Sequence, residues 1–232
     1  MISIIVPVYN EEEVLPSFIV TFFKQIDLNE EYEFIFVNDG SSDQTEKIIK
    51  QFQKNYSKIK LISYAPNKNL GYALPIGFKA AKGRIIVTMD SDLAHPPKII
   101  SRLVNRLDSN NDIVIGSRYV KGAGVKGVPL KSDLLSKITN FFTKLMILSQ
   151  LKDVTSGFRA YRKEILKGLK TKEEGFEVEL EILVKLMKKG AKISEVGFNS
   201  VDREKGESKF VLSEHGLRYI KGMVRIFGYR WF

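Results

Sequence analysis

The chain is expected to fold as an α/β protein around a mainly parallel central sheet, and three observations in its 232 residues support this. Short Ile- and Val-rich segments alternate with segments of helical period through the first half, an order that builds βαβ units. Polar and acidic clusters stand where the apolar segments run out, at Tyr9-Asn10-Glu11, Asn38-Asp39-Gly40 and Asp90-Ser91-Asp92. Open α/β sheets bind ligands beyond the carboxyl ends of their strands, so these clusters are expected on one edge.

Taken in order, strands are expected at Ile2–Val8, Glu33–Val37, Ile59–Ser63, Arg84–Met89 and Asp112–Ser117, each short and β-branched. Helices are expected near Glu12–Gln25, Asp43–Asn55, Gly71–Ala81 and Pro97–Leu107. Asp43 with Glu46 resembles a capping pair, and Pro96-Pro97 suits a first helical turn. In the second half, Leu134, Leu135, Ile138, Phe141, Phe142, Leu145 and Leu148 recur at helical spacing. A further helix is expected at Phe176–Lys188 and a strand at Lys192–Phe198. Asp202–Lys209 is polar and expected to be mobile, and Leu212–Phe232 reads as a basic amphipathic helix. The expected organisation is one domain over residues 1–210 with a C-terminal helix over 211–232, which either completes that unit or docks on a membrane.

Composition excludes several chemistries. At 44% hydrophobic residues the chain can bury one substantial core but not two full domains. With no cysteine there is no disulfide framework, thiolate metal site or Cys nucleophile, and two histidines cannot build a His-rich zinc site. Met1-Ile2-Ser3-Ile4 lacks a basic n-region and reads as a first strand, not a signal peptide. No uncharged apolar run approaches the roughly 20 residues needed to cross a bilayer. A net charge of +10 points to an anionic partner: nucleic acid, an anionic membrane or a phosphorylated small molecule.

Asp90 and Asp92 narrow the choice. A buried strand has no use for two ionised carboxylates at its exit, and such a pair suits a hard divalent cation that also holds phosphate. Gly122-Ala-Gly124-Val-Lys-Gly127 matches a dinucleotide-binding fingerprint, but Val128-Pro129 follows where a helix is required, so a flexible loop is expected there. No P-loop motif is present.

Ile4-Ile5-Val6-Pro7-Val8-Tyr9-Asn10-Glu11, Val37-Asn38-Asp39-Gly40-Ser41-Ser42-Asp43, Asn69-Leu70-Gly71, Met89-Asp90-Ser91-Asp92-Leu93 with His95-Pro96-Pro97, Gly116-Ser117-Arg118-Tyr119 and Thr155-Ser156-Gly157-Phe158-Arg159 occur in that order. Together they resemble the family 2 glycosyltransferases of GT-A fold, and within them the dolichol-phosphate (polyprenyl-phosphate) mannose synthases. The resemblance implies a Rossmann-like nucleotide-diphospho-sugar transferase. In it Pro7, Tyr9, Glu11, Val37, Asp39, Asp90, Ser91 and Lys209 would receive the nucleotide-sugar, with Tyr9 as a stacking surface for the base. Asp90 and Asp92 would bind Mg²⁺ or Mn²⁺. Asp92, Arg118 and Arg203 would carry catalysis, with Arg203 and Lys209 closing over the phosphates. Arg118, Ser136 and Lys131 would hold an acceptor phosphate. Two departures stand out: Ala94 replaces a Gln that contacts the metal in many relatives, and Ser132 or Asp133 replaces a second Arg before Ser136.

The implied reaction is inverting, metal-dependent transfer of a hexose, GDP-mannose being the favoured donor, to polyprenyl or dolichyl phosphate. A phosphate monoester is largely deprotonated at neutral pH and needs no general base. No Glu-Asp pair precedes the Phe176 helix, where relatives with hydroxyl acceptors often carry their base. Leu217, Ile220, Val224, Phe227 and Trp231 share one helical face beside Arg218, Lys221, Arg225 and Arg230, a pattern for peripheral attachment to the cytoplasmic face of a membrane; packing of that face on the core is the competing explanation. Phe141, Phe142 and Met146 raise the same alternative. Rival functions are a family 2 enzyme using UDP-glucose or a sugar-hydroxyl acceptor and, more remotely, a nucleic-acid-binding module. The acidic strand ends argue against nucleic acid.

Overall fold

The structure, a computed structural model, describes residues 1–107, 110–201 and 221–229. Its first half runs β1 (Ile2–Val8), α1 (Leu15–Gln25), β2 (Tyr32–Asp39), α2 (Thr45–Gln53), β3 (Ile59–Tyr64), α3 (Leu70–Ala80), β4 (Ile85–Thr88), a 3₁₀ turn (Pro97–Ile99), α4 (Ile100–Arg106) and β5 (Ile113–Ser117). There follow β6 (Gly124–Lys126), α5 (Leu130–Met146), β7 (Arg159–Arg162), a second 3₁₀ turn (Lys163–Leu166), α6 (Glu177–Lys188), β8 (Ile193–Gly197) and β9 (Asn199–Val201). Residues 221–229 form a further helix, α7.

Seven strands make one sheet in the order β3-β2-β1-β4-β7-β5-β8. β1 pairs parallel with β2 and β4, in register Val8↔Asn38 and Ile5↔Thr88, so the three acidic or polar clusters do emerge along one edge. The sheet is mainly parallel, with β7 inserted antiparallel to both β4 and β5.

Alternation along the strands builds a core on each face. Ile2, Ile4, Val6, Phe34, Phe36, Ile85 and Val87 point to the face covered by α1, α2 and α4. There Phe18 and Phe22 of α1 meet Phe34 and Phe36, the Phe22 and Phe34 rings lying 4.3 Å apart. Ile5, Ile35, Val37, Ile86, Ile113 and Ile115 point the other way, against Ala73 and Leu74 of α3 and Val178, Ile182 and Leu183 of α6.

Two expectations are corrected, and a third loses one of its two alternatives, the packing of the expected C-terminal apolar face on the core. The segment from Gly122 to Gly127 holds a strand: β6 pairs parallel with β9, while Gly122 and Gly127 take the left-handed backbone at its borders (φ 84° and 80°). Asp43 caps α2 by accepting the Thr45 N–H at 2.9 Å, but Glu46 does not close a reciprocal box; it binds Lys50 and Ser63 instead. In α7, Met223, Ile226 and Tyr229 pack on the core, whereas Val224 and Phe227, the residues expected on the apolar face, are exposed. Arg225 Nε reaches Glu173 Oε1 at 2.9 Å and fastens α7 to the turn before α6.

Gly71 shows how tightly α3 is seated. Its N–H donates to Glu174 O at 2.8 Å, and a Cβ there would lie 2.6 Å from Glu174 Cα, where only backbone can yield. Gly71→Ala is expected to cost about 1–3 kcal/mol by overpacking. Thermal melting should record that as a fall on the order of 5 °C, and an unchanged midpoint would contradict this packing.

Candidate functional site

The ends of β1 and β2 are latched together by short polar side chains. Asn10, in a left-handed conformation (φ 51°), accepts the Ser42 N–H at 2.8 Å and donates its own N–H to Ser41 Oγ at 2.9 Å. Glu11 N–H donates to Thr45 Oγ1 at 2.8 Å. Asp39, buried at the end of β2, accepts the Lys68 N–H at 2.7 Å and Asn67 Nδ2 at 2.9 Å. Burial, aided by the Asp39 charge, holds the Tyr64 phenol above its ordinary pKa. Pro7 and Val37 are register partners one step inside this edge, with the Val37 side chain wholly in the core. Tyr9 is exposed beside them, available as a flat surface.

The Asp90–Asp92 turn follows β4. Asp92 is buried, and its Oδ1 accepts the Ala94 N–H at 3.0 Å, while Leu93 between them is left-handed (φ 62°). Ser91 is buried between the two carboxylates. The Asp90 carboxylate is more than half exposed, and its N–H donates to His95 Nδ1 at 3.1 Å. The His95 ring is stacked on Phe158, with centroids 4.8 Å apart. The turn is thus fixed from beneath by a histidine anchored in the core.

Arg118 lies at the end of β5. Its Nε and Nη2 form a fork on Asp153, at 2.8 and 2.9 Å, and Nη2 also reaches Thr155 Oγ1 at 3.1 Å. Burial alone would lower the Arg118 pKa; the Asp153 carboxylate more than reverses this and holds the guanidinium charged, with Asp90 contributing in the same sense. The Tyr119 ring sits 5.1 Å from the Arg118 guanidinium carbon, and its buried hydroxyl makes no hydrogen bond to a protein group. Burial raises the Tyr119 pKa, and the charges of Asp153 and Asp133 add to it against Arg118. Asp133 belongs to the first turn of α5, and its charge reaches Tyr119.

Sequence reasoning missed a carboxylate here. Glu179, in the first turn of α6, packs its carboxyl over Gly157, whose Cβ, if present, would lie 2.9 Å from Glu179 Cδ. Burial pushes its pKa up to about 7; the negative charge of Asp90 adds to the rise, and Arg159 and Arg118 oppose it. No Glu-Asp pair precedes Phe176, but Glu173-Glu174 does, against the expectation that no acidic pair stands there; Glu173 is buried and held by Arg225, and the carboxyl near Asp90 comes from the helix itself. An acidic residue in a first turn reads from sequence as a helix-dipole partner, which hid it.

The residues fit a divalent cation by the chemistry of their donor atoms. Asp90 and Asp92 supply oxygen ligands only, and among the described residues no group of three His, Cys, Asp or Glu side chains is placed to hold a metal, so the rest of the shell would be diphosphate or water oxygens. Ala94 brings only a methyl group and its N–H to the turn. Arg203 and Lys209, expected over the phosphates, lie outside the described residues, as do Leu217, Ile220 and Trp231.

Comparison with known proteins agrees with this geometry. Over 215 residues the chain is 38% identical to the dolichol-phosphate mannosyltransferase of Pyrococcus furiosus, covering 90% of this chain but 58% of that longer relative. It is 28% identical to the polyprenol monophosphomannose synthase of Mycolicibacterium smegmatis, covering 93% of this chain and 86% of the relative. Among solved structures it resembles glucosyl-3-phosphoglycerate synthase from Mycobacterium tuberculosis in complex with Mn²⁺, UDP and phosphoglyceric acid, with a TM-score of 0.73 at 22% identity over 98% of this chain and 78% of that one. The same enzyme has been solved with Mg²⁺ and UDP, with a TM-score of 0.71 over 98% of this chain and 79% of that one. The shared architecture is the GT-A fold. The sequence profile described as glycosyl transferase family 2 matches residues 3–169, most of the chain, and the chain belongs to that family.

Proposed function

We propose that this protein transfers a hexose, with mannose from GDP-mannose as the favoured donor, to the phosphate of a polyprenyl or dolichyl lipid, with inversion at the anomeric carbon. The reading is carried by the 38% identity to a dolichol-phosphate mannosyltransferase together with an acidic turn that lies within electrostatic reach of Arg118. Asp90 and Asp92 would hold Mg²⁺ or Mn²⁺, which supplies positive charge to the diphosphate as it departs. Pro7, Tyr9, Glu11, Asp39, Ser91 and the Val37 backbone receive the nucleotide-sugar. Arg118, Ser136 and Lys131 hold the acceptor phosphate, and Arg203 and Lys209 close over the donor.

In the reaction an acceptor phosphate oxygen forms the bond to the anomeric carbon. The bond from that carbon to the diphosphate breaks, and its electron pair leaves with the nucleoside diphosphate. The acceptor's second pKa lies near 6, so its attacking oxygen is largely deprotonated at neutral pH and no residue must take a proton. Action at the cytoplasmic face of a membrane, with peripheral attachment, belongs to this proposal. Among the described residues no helix is long and apolar enough to cross a bilayer.

One observation favours a second reading. Glu179, with a pKa raised to about 7, is placed as a general base for an acceptor hydroxyl, and UDP-glucose would be a donor to try with it. In that case the hydroxyl proton passes to the Glu179 carboxylate as the oxygen attacks.

Purified protein given radiolabelled GDP-mannose or UDP-glucose, with polyprenyl phosphate and Mn²⁺, is expected to yield organic-extractable label from GDP-mannose. Asp92→Ala should lower that rate on the order of 100-fold or more while leaving the melting midpoint within a few degrees; full activity in this variant would remove the metal assignment.

Glu179→Gln separates the two readings. With a lipid-phosphate acceptor the rate should change only a few-fold, and both proteins should show a rate rising through pH 6 as the acceptor ionises. Roughly 100-fold loss, with a rise near pH 7 that disappears in the variant, would establish the hydroxyl-acceptor reading instead.

The same substitution has a stability signature. Because the folded-state pKa of Glu179 is raised from 4.5 to about 7, wild-type protein loses stability as pH climbs through that window. In chelator, Glu179→Gln should therefore gain up to about 3 kcal/mol over wild type at pH 8 and nothing below pH 4.5. Denaturant titrations at the two pH values would measure the difference.

A further inference from the structure

Arg118 owes its place to a turn that has no regular structure of its own. Asp153 is wholly buried and accepts the Arg118 main-chain N–H at 3.0 Å as well as the guanidinium fork, yet it lies between α5 and β7, in neither element. Two side chains fix the turn. Asn140 of α5 donates to Lys152 O at 2.6 Å and accepts the Val154 N–H at 3.0 Å. From the other side comes Glu195 of β8: its Oε1 accepts the Asp153 N–H at 2.9 Å and its Oε2 the Lys152 N–H at 2.8 Å, so one carboxylate clamps two consecutive peptide units. Glu195 stands opposite Ile115 of β5 in the parallel register, and Arg118 directly follows Ser117, the last residue of that strand. The contacts therefore close a ring, from β5 through Arg118, Asp153 and Glu195 to β8 and back across the sheet. Glu195 also lines an open groove with Leu151, Met187 and Ile193. A carboxylate beside apolar walls is costly unless its oxygens are met, and here both are met by the turn that carries Asp153.

The geometry points to Glu195 as a positioning residue for the acceptor: acting through Asp153, it sets where the Arg118 guanidinium stands before a phosphate arrives. Asp153 can aim Arg118 only while its own main chain is fixed, because a fork of two hydrogen bonds passes any rotation of the carboxylate on to the guanidinium. Without Glu195 the Lys152 and Asp153 N–H groups lose their acceptor and turn toward water, carrying the Asp153 carboxylate with them. The donor residues stand at the ends of β1, β2 and β4, separated from β8 by β7 and β5 in the sheet, so the effect falls on the acceptor side. The inference rests on the reading in which Arg118 receives the acceptor phosphate, but the coupling of Glu195 to the Arg118–Asp153 fork is measurable without it.

The test compares the full chain with its Glu195→Ala and Glu195→Gln variants, using GDP-mannose, Mn²⁺ and detergent-dispersed polyprenyl phosphate. The KM for the lipid phosphate should rise about tenfold in Glu195→Ala and less in Glu195→Gln, which keeps one oxygen acceptor, while the KM for GDP-mannose and kcat at saturating lipid stay within about twofold. A second readout needs no activity. The Arg118 Nε–H signal in nuclear magnetic resonance, assigned by its loss in Arg118→Lys, should exchange with solvent about tenfold faster in Glu195→Ala, because its bond to Asp153 opens more often. An unchanged acceptor KM in an active enzyme overturns the proposal, and so does unchanged Nε–H exchange. A loss spread equally over both substrates and kcat, or a melting midpoint lower by more than about 10 °C, also overturns it, since Glu195 would then be a prop of the whole fold. Faster Nε–H exchange in the variant of a protein whose wild type transfers nothing to lipid phosphate leaves the positioning role standing and removes the function proposed above.

Discussion

The site depends on one buried guanidinium. Arg159 is only 1% exposed, and its three nitrogens all donate to main-chain carbonyls: Nε to Ser156 at 2.7 Å, Nη1 to Glu179 at 2.6 Å and Nη2 to Val154 at 2.9 Å. A cation without solvent is costly unless every donor is met, so these three segments cannot drift apart without exposing it to an unsatisfied interior. Gly157 and Phe158 lie between the fixed points. Phe158 carries the stacked His95, and His95 accepts the Asp90 N–H. The position of the acidic turn is thus traceable through two aromatic rings to an arginine buried in the core.

Charge at the strand ends is deliberately unbalanced. Arg118 is committed to Asp153, so its positive charge is partly answered before any ligand arrives. Asp90 and Glu179 lie within electrostatic reach of each other, and burial, with the Asp90 charge adding to it, displaces the Glu179 pKa upward. In a chain of net charge +10 this acidic patch is a local exception. A divalent cation would relieve it, and a diphosphate arriving with that cation would meet the basic surroundings beyond. The pattern suits a ligand that is itself a metal–anion pair better than a free anion, which the two aspartates would repel.

Much of this was legible in the sequence, because the strands are apolar and the clusters at their ends are not. β1 stands at Ile2–Val8, as its hydrophobic run dictates, and the convergence of Tyr9, Asp39 and Asp90 follows from parallel pairing. β7 was not legible: four residues with an arginine at each end carry no strand signature, and their place is set by pairing on both sides. β6 was hidden by its glycines, which read as a loop until β9 supplies a partner. Glu179 was hidden by a periodicity that assigns it to a helix without saying which helix end meets the aspartates. In α7 the periodicity of apolar residues was seen but its direction was not, since Met223 and Ile226 fill the core equally well.

The direction of α5 joins the two halves of the molecule's chemistry. Helical rise places Leu145 about 13 Å along the axis from Ser136. Asn140 makes this geometry stiff, because its side chain ties the middle of α5 to Lys152 and Val154, the neighbours of Asp153. The residue that orients Arg118 and the residue that anchors α5 are thus bound to the same short turn, so a displacement of the helix is transmitted to the site.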